Sequence, residues 1–467
     1  MNRIVPLILA VALFMEQMDS TVIATALPAI AADLGVGPIT LKLALTSYMV
    51  ALAIFIPVSG WMADRFGAKK IFRIAILVFV AGSILCAVSG SLFAFVAARF
   101  LQGMGGAMMT PVGRLVLLRT TKRSELVSAM ALLTIPALVG PLTGPPVGGF
   151  ITTYFSWHWI FLINVPIGLV GIWLATVHLP EVPAVETAPI DIKGFVLSGL
   201  AASGVVFGLS VMSLPALPVQ AGIGATAIGL ICVVLYVRHA RRHAAPLLDL
   251  SLFRDAAFRT SALSGSIFRV AAGAIPFLMP LMLQLGFGMT PFESGLITFI
   301  GAIGAITTKV LARRVFAAAG FRTVLIAAAL TGALTTAANA FFTPATPIAV
   351  IMGILLAAGF CRSFFFTGIN SLGYAEIDDR QASQATSMSS VLQQVSLALG
   401  VAVAAAILEG STAFHGRPLS LADFHLAFAV VAGLSLIAVI PFLGLARDAG
   451  AAVSGHGRRN GSADDIG

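Results

Sequence analysis

The sequence predicts an all-α membrane protein in which two six-helix bundles flank two inserted helices, giving fourteen spans. Three observations support this fold class. Of the 467 residues, 58% are hydrophobic and only 10% are charged, whereas about a quarter of the residues in a soluble protein are charged. The apolar residues fall in runs of about 20, the length that crosses the hydrocarbon core of a bilayer. The basic residues lie mainly on one side of these runs.

The predicted spans divide the chain into three parts and a tail. The N-terminal bundle occupies residues 1–180, with spans near 5–30, 40–62, 71–90, 92–114, 125–150 and 156–179. Residues 181–257 supply a linker and two additional spans, near 193–213 and 218–238. The C-terminal bundle occupies residues 258–448, with spans near 258–284, 291–312, 322–341, 346–368, 383–408 and 424–446. Residues 449–467 are rich in Gly, Ser, Arg and Asp, so we expect a disordered cytoplasmic tail.

The distribution of positive charge predicts the orientation. A cytoplasmic N-terminus puts most of the 28 lysine and arginine residues on the cytoplasmic side, as the positive-inside rule requires, so we expect both termini there. Because the basic residues form short clusters and no continuous face, the net charge of +9 does not indicate a nucleic-acid partner. Gly67 to Lys69 resembles Gly320 to Arg322, each after the second span of a bundle, which favours duplicated bundles. Repeated bundles bind substrate at their interface near the membrane midplane.

Ionisable residues inside the predicted spans are the sharpest indication of function. A charged side chain at the bilayer centre costs about 2.5–3.5 kcal/mol, so such residues are rarely idle. Glu16 and Asp19 share roughly one face of span one, and Arg99 lies in span four. A carboxyl group beside a cavity and a cation can bind or release a proton as the cavity opens to either side. We therefore predict proton coupling at Asp19, with Arg99 as its modulator and Glu16 in a secondary role. The alternative is a static Asp19–Arg99 ion pair that holds two helices together.

Two further intramembrane arginines, Arg269 and Arg362, lie in spans nine and twelve. The guanidinium group is a planar fork suited to carboxylate or phosphate. We hypothesise that both arginines converge on one cavity and hold part of an anionic or zwitterionic substrate. Additional hydrogen bonds would come from Gln102, Asn370 and Gln393. The alternative is that either arginine caps a helix end or lies near the cytoplasmic interface.

Two glycine-containing segments predict points of movement. Gly60 and Gly67 flank Asp64 after span two and permit a tight turn and close helix approach, while Asp64 can meet a helix N-terminus or an arginine and hold one conformation. In span five, glycines four residues apart put small residues on one face, against which another helix can pack closely. Prolines between them remove backbone hydrogen bonds and bend the helix, either as a structural kink or as a rocking joint. The residues of this second segment are Gly140, Gly144, Pro145, Gly148 and Gly149.

Four segments resemble signatures of the major facilitator superfamily. They are Gly60 to Lys70, Val96 to Gly103, Gly140 to Gly149, and the pair formed by Met18 to Pro28 with Trp157 to Pro166. The last pair is similar to the fourteen-span drug:proton antiporters of the EmrB/QacA type, among which the chain most resembles MdtD-like transporters. The resemblance implies that the first segment is a conformational latch, with Asp64, Arg65 and Lys69 in that role. It also implies that the third segment marks an antiporter.

The sequence therefore predicts a monomeric, proton-coupled secondary transporter that exports small molecules by alternating access, of the multidrug-efflux type, in a bacterial cytoplasmic membrane. The arginines leave open an exporter of a specific organic anion, such as a di- or tricarboxylate. A proton-coupled importer is a second alternative, which the fifth-span motif argues against. His239 and His243 flank a basic loop that contains no carboxylate partner, and there is no P-loop. We expect no enzyme activity, cofactor or metal; the expected partners are a small-molecule substrate, protons and the lipid bilayer.

Overall fold

The computed structural model describes residues 4–121, 126–181, 184, 189–212, 218–377, 381–446 and 449–451. Most of the predicted tail, residues 452–467, and part of the predicted linker lie outside the described residues. The described chain is helical and contains no β-strand, which confirms the predicted all-α class.

The helices follow the predicted order of six, two and six spans. The first part contains α1 (Ile4–Val22), α2 (Leu27–Asp33), α3 (Lys42–Phe66), α4 (Ala68–Ala87), α5 (Leu92–Thr120), α6 (Leu126–Tyr154), α7 (Trp159–Leu162) and α8 (Asn164–His178). The middle pair is α9 (Ile192–Met212) and α10 (Val219–Ala240). The last part contains α11 (Ala256–Leu281), α12 (Pro291–Ala338), α13 (Ile348–Gly373), α14 (Ala382–His415), α15 (Leu421–Ile437) and α16 (Ile440–Leu443). Thirteen segments of the described chain are long and apolar enough to cross a bilayer, and α6 covers the remaining predicted span, the fifth.

Two predicted boundaries differ from the structure. The first span was expected as one helix, but α1 ends at Val22 and a 3₁₀ turn leads into α2, which has Pro28 in its first turn. Proline fits a first turn because its missing N–H needs no partner there. Spans ten and eleven were expected to end near residue 312 and to begin near 322, but the helical backbone extends on both sides up to Gly320. The non-helical backbone of Gly320 (φ 72°, ψ 164°) divides α12 into two helices. The alanines at 317–319 favour helix up to that point.

The predicted similarity between the two bundles is visible in the backbone. Gly67 joins α3 to α4 with φ of 90°, and Gly320 interrupts α12 with φ of 72°. Both values lie in the left-handed region that glycine enters without steric cost. The same kind of turn therefore follows the second span of each bundle, as expected for duplicated bundles.

The two ends of the bundles pack differently. We call the end at which α3 begins the Lys42 end, and the end at which it finishes the Asp64 end. At the Lys42 end the buried apolar residues form one cluster that includes both bundles, for example Phe95 and Phe161 with Phe277 and Phe424. At the Asp64 end they form three separate clusters: one within each bundle, and one that joins the end of α10 to the second bundle. The bundles are thus joined at the Lys42 end and packed independently at the Asp64 end.

The inserted pair lies against the junction between the bundles. Helices α9 and α10 approach closely, because a side chain at Gly204 or Gly229 would clash with the backbone of the other helix. On its other side α9 contacts both α3 and α14, and Val206 joins Val50 and Ala398 in a small buried cluster. One inserted helix therefore bridges the two bundles.

Candidate transport site

The structure brings the two charges predicted for proton coupling into direct contact. Asp19 on α1 and Arg99 on α5 are 0% and 1% exposed, and Arg99 Nη1 donates to Asp19 Oδ2 at 2.7 Å. A short, charge-assisted hydrogen bond of this kind is roughly twice as strong as a neutral one. Neither charge is solvated, so each depends on the other for compensation.

Three polar side chains from neighbouring helices complete the environment of this pair. The other carboxylate oxygen, Asp19 Oδ1, accepts hydrogen bonds from Gln102 Nε2 and Asn164 Nδ2, each at 2.8 Å. Both amides also donate to the hydroxyl of Ser83, and Arg99 Nη1 donates to the carbonyl oxygen of Gln102. We call Asp19, Arg99, Gln102, Asn164 and Ser83 the charged network. Gln102 was predicted to bind substrate, but in this conformation its carbonyl and amide are both engaged within the charged network.

Glu16 lies one turn from Asp19 and has a different environment. It is 5% exposed, and its Oε2 accepts hydrogen bonds from Gln17 Nε2 and Thr110 Oγ1, each at 3.0 Å. Within the described part of the chain, no basic side chain forms an ion pair with Glu16. The two acids on α1 therefore differ: one is paired with a cation, and the other is held only by neutral donors.

Tyr48 on α3 connects these two environments. The guanidinium carbon of Arg99 lies 4.3 Å from the centre of the Tyr48 ring, a cation–π arrangement that supports Arg99 from below. The Tyr48 hydroxyl is buried and has no hydrogen-bond partner among the described residues. A methyl group built on Gly106 would lie 3.0 Å from that hydroxyl and 3.5 Å from Glu16 Cγ. The hydroxyl and the Glu16 side chain thus flank the space that Gly106 leaves open.

The two arginines of the second bundle have different neighbours in this conformation. Arg269 is 5% exposed; its Nη2 donates to Asn370 Oδ1 at 3.3 Å, and its guanidinium lies 5.7 Å from the Phe366 ring centre. Arg362 lies beside Gly301 of α12, with Nη2 3.9 Å from a Cβ built there. The convergence of Arg269 and Arg362 on one cavity stays a prediction.

The pocket at Arg269 is small. Its volume is about 20 Å³, room for about one water molecule, and its polar lining comes from Ser261, Asn370, Tyr374 and Ser389 beside Arg269. No acidic side chain of the described residues pairs with Arg269. Gln393, the remaining predicted substrate ligand, is exposed on α14 and does not line this pocket.

The predicted latch contains two ion pairs within the first half of the chain. Asp64 Oδ1 accepts from Arg119 Nη2 at 2.7 Å, with both side chains about one-third exposed, and Lys69 Nζ lies 3.1 Å from Glu181. Arg65 is exposed. The predicted turn at Gly67 is present. The close helix approach predicted at Gly60 is not seen among the described residues, because none of their atoms lies within 4 Å of a Cβ built there. Gly60 is exposed at the Asp64 end, where the bundles pack independently.

The glycine face of α6 lies between the two bundles. Side chains added at Gly140, Gly144 or Gly148 would press against α1, while one at Gly149 would clash with the start of α12. Residue 295 of α12, also a glycine, approaches the carbonyl of Pro145 in return. The predicted close packing on this face is therefore present, with α1 as the partner helix and α12 of the other bundle at its end.

Sequence reasoning missed an ion pair between the bundles at the Lys42 end. Lys42 is completely buried, and its Nζ contacts a carboxylate oxygen of Glu409 on α14. Nearby, Gln284 Nε2 donates to the backbone carbonyl of Thr25 at 3.0 Å, which also joins the two bundles. The sequence contains a signal for this pair. Lys42 is a basic residue on the side where the positive-inside rule expects few, and Glu409, directly after predicted span thirteen, is expected on the same side.

One group of side chains has the composition of a metal site. The ligand atoms of Asp191, His239 and His243 lie within 4.8 Å of one another. The basic loop itself contains no carboxylate, but Asp191, which precedes α9, supplies one to His239. Asp191 Oδ1 lies 2.7 Å from His239 Nε2. Burial raises the pKa of Asp191, but hydrogen bonds from Gly194, His239 and Leu247 outweigh burial and hold that pKa below its ordinary value. These hydrogen bonds account for the cluster as a clasp between α9 and α10.

Comparisons with known proteins agree with this architecture. The model of the Major Facilitator Superfamily matches residues 9–401. A relative from Serratia proteamaculans is 36% identical over 94% of this chain and 92% of its own length. A relative from Pectobacterium atrosepticum is 38% identical over 86% of each chain. Both carry the provisional name multidrug resistance protein MdtD.

Solved structures show the same fold at low sequence identity. A D-xylose–proton symporter is 16% identical with a TM-score of 0.68, covering 96% of this chain and 98% of its own. A peptide transporter of the POT family, solved with sulfate, is 14% identical with a TM-score of 0.70, covering 96% and 95%. The chain therefore belongs to the major facilitator superfamily, similar to the MdtD proteins, and is a membrane transporter and not an enzyme.

Proposed function

We propose that this transporter exports small molecules in exchange for protons by alternating access, as a monomer in a bacterial cytoplasmic membrane with both termini in the cytoplasm. The observation that carries the proposal is the pair of buried carboxyl groups on α1. Asp19 is compensated by Arg99, whereas Glu16 has only neutral donors among the described residues. Proton binding at this pair changes the charge buried in the first bundle.

The change in charge explains how a proton can drive a conformational change. An ionised carboxylate in a dry interior is costly unless it is paired, and a protonated one is much less so. Glu16 without its proton therefore favours a conformation that admits water to it, and protonated Glu16 tolerates closure. Asp19 can exchange a proton only when its bond to Arg99 loosens, so the charged network and the conformation are linked.

The packing at the two ends supports alternating access. The Lys42 end is closed by apolar packing and by the Lys42–Glu409 ion pair, and the Asp64 end has independent packing in each bundle. With the Asp64 end in the cytoplasm, as the positive charges favour, this conformation takes substrate from inside the cell. Export then requires the Lys42–Glu409 pair to open and Gly60 to become covered.

A proton gradient can supply the energy for this cycle. A membrane potential of about 100 mV provides about 2.3 kcal/mol for each charge that crosses. That free energy corresponds to roughly fiftyfold accumulation of substrate for each proton, since 1.36 kcal/mol is tenfold. The described residues and the sequence contain no P-loop for direct use of ATP.

The substrate class has two candidates. The relatives named for multidrug resistance favour export of drugs. The second candidate, export of an organic anion, is favoured by one observation: Arg269 is buried without an acidic partner among the described residues and faces Asn370 beside a small pocket. A free, buried guanidinium attracts a carboxylate or phosphate.

Transport into proteoliposomes with an imposed pH gradient tests the function. The protein is challenged with ethidium, tetraphenylphosphonium, succinate and citrate, and each flux is measured with and without the gradient. We expect at least one of these compounds to move against its own gradient only when the pH gradient is present. Equal fluxes with and without the gradient for every transported compound would refute proton coupling.

Arginine variants separate the two substrate classes in the same assay. Arg269→Gln and Arg362→Gln should weaken transport of an anion far more than transport of a cation, since only the anion gains from a guanidinium. Arg259→Gln is the matched control, because Arg259 lies on the same helix as Arg269 but is exposed and donates only to a backbone carbonyl. Equal losses for anions and cations would remove the anion candidate.

A further inference from the structure

The Tyr48 hydroxyl and the Glu16 side chain lie beside the same small residue, Gly106, next to the charged network. The Tyr48 hydroxyl is buried and has no partner among the residues that the structure describes. The second oxygen of Glu16, Oε1, also takes no hydrogen bond from the described residues, because Gln17 and Thr110 both donate to Oε2. A Cβ built on Gly106 would lie 3.0 Å from the Tyr48 hydroxyl and 3.5 Å from Glu16 Cγ, so both side chains reach this position. A buried hydroxyl without a partner is destabilising, so a conformation that pairs it is favoured.

We infer that Tyr48 is a positioning residue whose hydroxyl donates a hydrogen bond to ionised Glu16 and thereby links the protonation of Glu16 to the Asp19–Arg99 pair. The inference rests on the proposed proton coupling and identifies the residue that transmits it. The ring of Tyr48 supports Arg99 at 4.3 Å. When its hydroxyl turns toward Glu16, the ring beneath Arg99 turns as well.

The charged and titratable groups around Glu16 leave Tyr48 as the mobile donor. From α1 the neighbouring acid is Asp19, and from α5 the basic residue that acts on Glu16 is Arg114. Arg99 of the same helix is paired with Asp19. Helix α6 contains no Asp, Glu, Lys, Arg or His, and α8 contains only His178 at its far end. Tyr48 is the titratable side chain that α3 contributes there.

The sequence of α5 explains why the space exists. Gly103 and Gly106 are the small residues of α5 that face Tyr48: a side chain at Gly103 would press against the Tyr48 backbone, and one at Gly106 would meet its hydroxyl. Gly103 lets α3 approach α5, and Gly106 keeps the path between the hydroxyl and Glu16 open. A methyl group at Gly106 would stand between the donor and the acceptor.

Infrared titration of the purified full-length protein in lipid tests this inference without a substrate. The carboxyl band of Glu16 is identified by its loss in Glu16→Gln. Tyr48→Phe keeps the ring under Arg99 and removes only the hydroxyl, so loss of a donor to the ionised carboxylate should move the midpoint of this band to higher pH. A hydrogen bond to a charged group predicts a shift of about one to two pH units.

A purely structural role for Tyr48 predicts a different result. Because the hydroxyl has no partner among the described residues, its removal should not lower thermal stability. A midpoint equal to that of the wild type would overturn the inference. Gly106→Ala gives a second, independent test, since it keeps the hydroxyl but blocks its path and should also raise the midpoint. The matched control is Gly113→Ala on the same helix, where an added methyl makes ordinary contacts with Leu13 and Phe72.

The failure of this inference is distinguishable from failure of the proposed function. If a pH gradient drives no transport by the wild type, proton coupling fails whatever the titration shows. If the wild type is proton-driven but Tyr48→Phe and Gly106→Ala both titrate and transport as the wild type does, proton coupling stands and the role of Tyr48 is refuted.

Discussion

Single and double replacements of the buried ion pair give different stabilities, and the difference can be worked out from the structure. Asp19→Asn leaves Arg99 1% exposed with no anionic partner, and Arg99→Gln leaves Asp19 fully buried with only neutral donors. Removing one member of a buried pair costs roughly 3–5 kcal/mol, mostly because the remaining charge is uncompensated. The double variant leaves no charge and should therefore be more stable than either single variant.

Thermal unfolding in one detergent and proton-driven transport are measured for the wild type, the two single variants and the double variant. We expect the double variant to recover most of the lost stability but not the response of transport to a pH gradient, because it holds no titratable group at position 19. A static ion pair predicts that stability and proton-driven transport recover together. Single variants as stable as the wild type would refute the reasoning about burial.

A matched pair on the surface provides the control. Asp64 and Arg119 are joined at the same distance, 2.7 Å, but both are about one-third exposed. An exposed pair contributes about 0–1 kcal/mol, so Asp64→Asn and Arg119→Gln should change the unfolding temperature little. A loss as large as that at Asp19 would show that burial does not set the cost.

Four further substitutions probe packing, gating and the clasp. Gly60→Leu should leave stability unchanged, because the site is uncovered, but should prevent closure of the Asp64 end and so abolish transport. Gly148→Ala should lower the free energy of unfolding by about 1–3 kcal/mol, because the added methyl group clashes with α1. Glu409→Gln should break the ion pair with Lys42 and make the Lys42 end more accessible. Accessibility is measured as labelling of a cysteine introduced at that end by a membrane-impermeant thiol reagent. Unchanged labelling would contradict a gating role for the ion pair. Asp191→Asn should lower stability at neutral pH. The difference in stability from the wild type should disappear as the pH falls through the low pKa of Asp191, because the native carboxylate is then protonated. A difference that persists in acid would exclude a stabilising role for the ionised carboxylate.

The contact between Asp19 and Arg99 could be predicted from the sequence because burial restricts the choices. A carboxylate in the membrane needs a cation, and Arg99 is the basic residue in the interior of the first six predicted spans. The glycine face of α6 was predictable for a similar reason, since a four-residue spacing defines one helix face. The identity of the partner helix, α1, required the tertiary structure.

Other parts of the site depend on contacts that no local pattern encodes. Asn164 is 145 residues from Asp19, and Lys42 is 367 residues from Glu409 along the chain. Tyr48 looks like an ordinary aromatic residue of an apolar span until Arg99 is placed over its ring. The different neighbours of Arg269 and Arg362 could not be predicted, because the position of a residue in a span fixes its depth approximately but leaves the direction of its side chain open.

In the proposed mechanism, the buried acids of α1 couple the outward movement of substrate to the inward movement of protons. Simultaneous recording of substrate flux and internal pH, with a trapped pH indicator in proteoliposomes, tests it most directly. We predict that outward movement of substrate is accompanied by inward movement of protons, and that Glu16→Gln combined with Asp19→Asn abolishes the proton signal. Substrate flux that continues unchanged after an ionophore collapses the pH gradient, with no proton signal in the wild type, would contradict the claim.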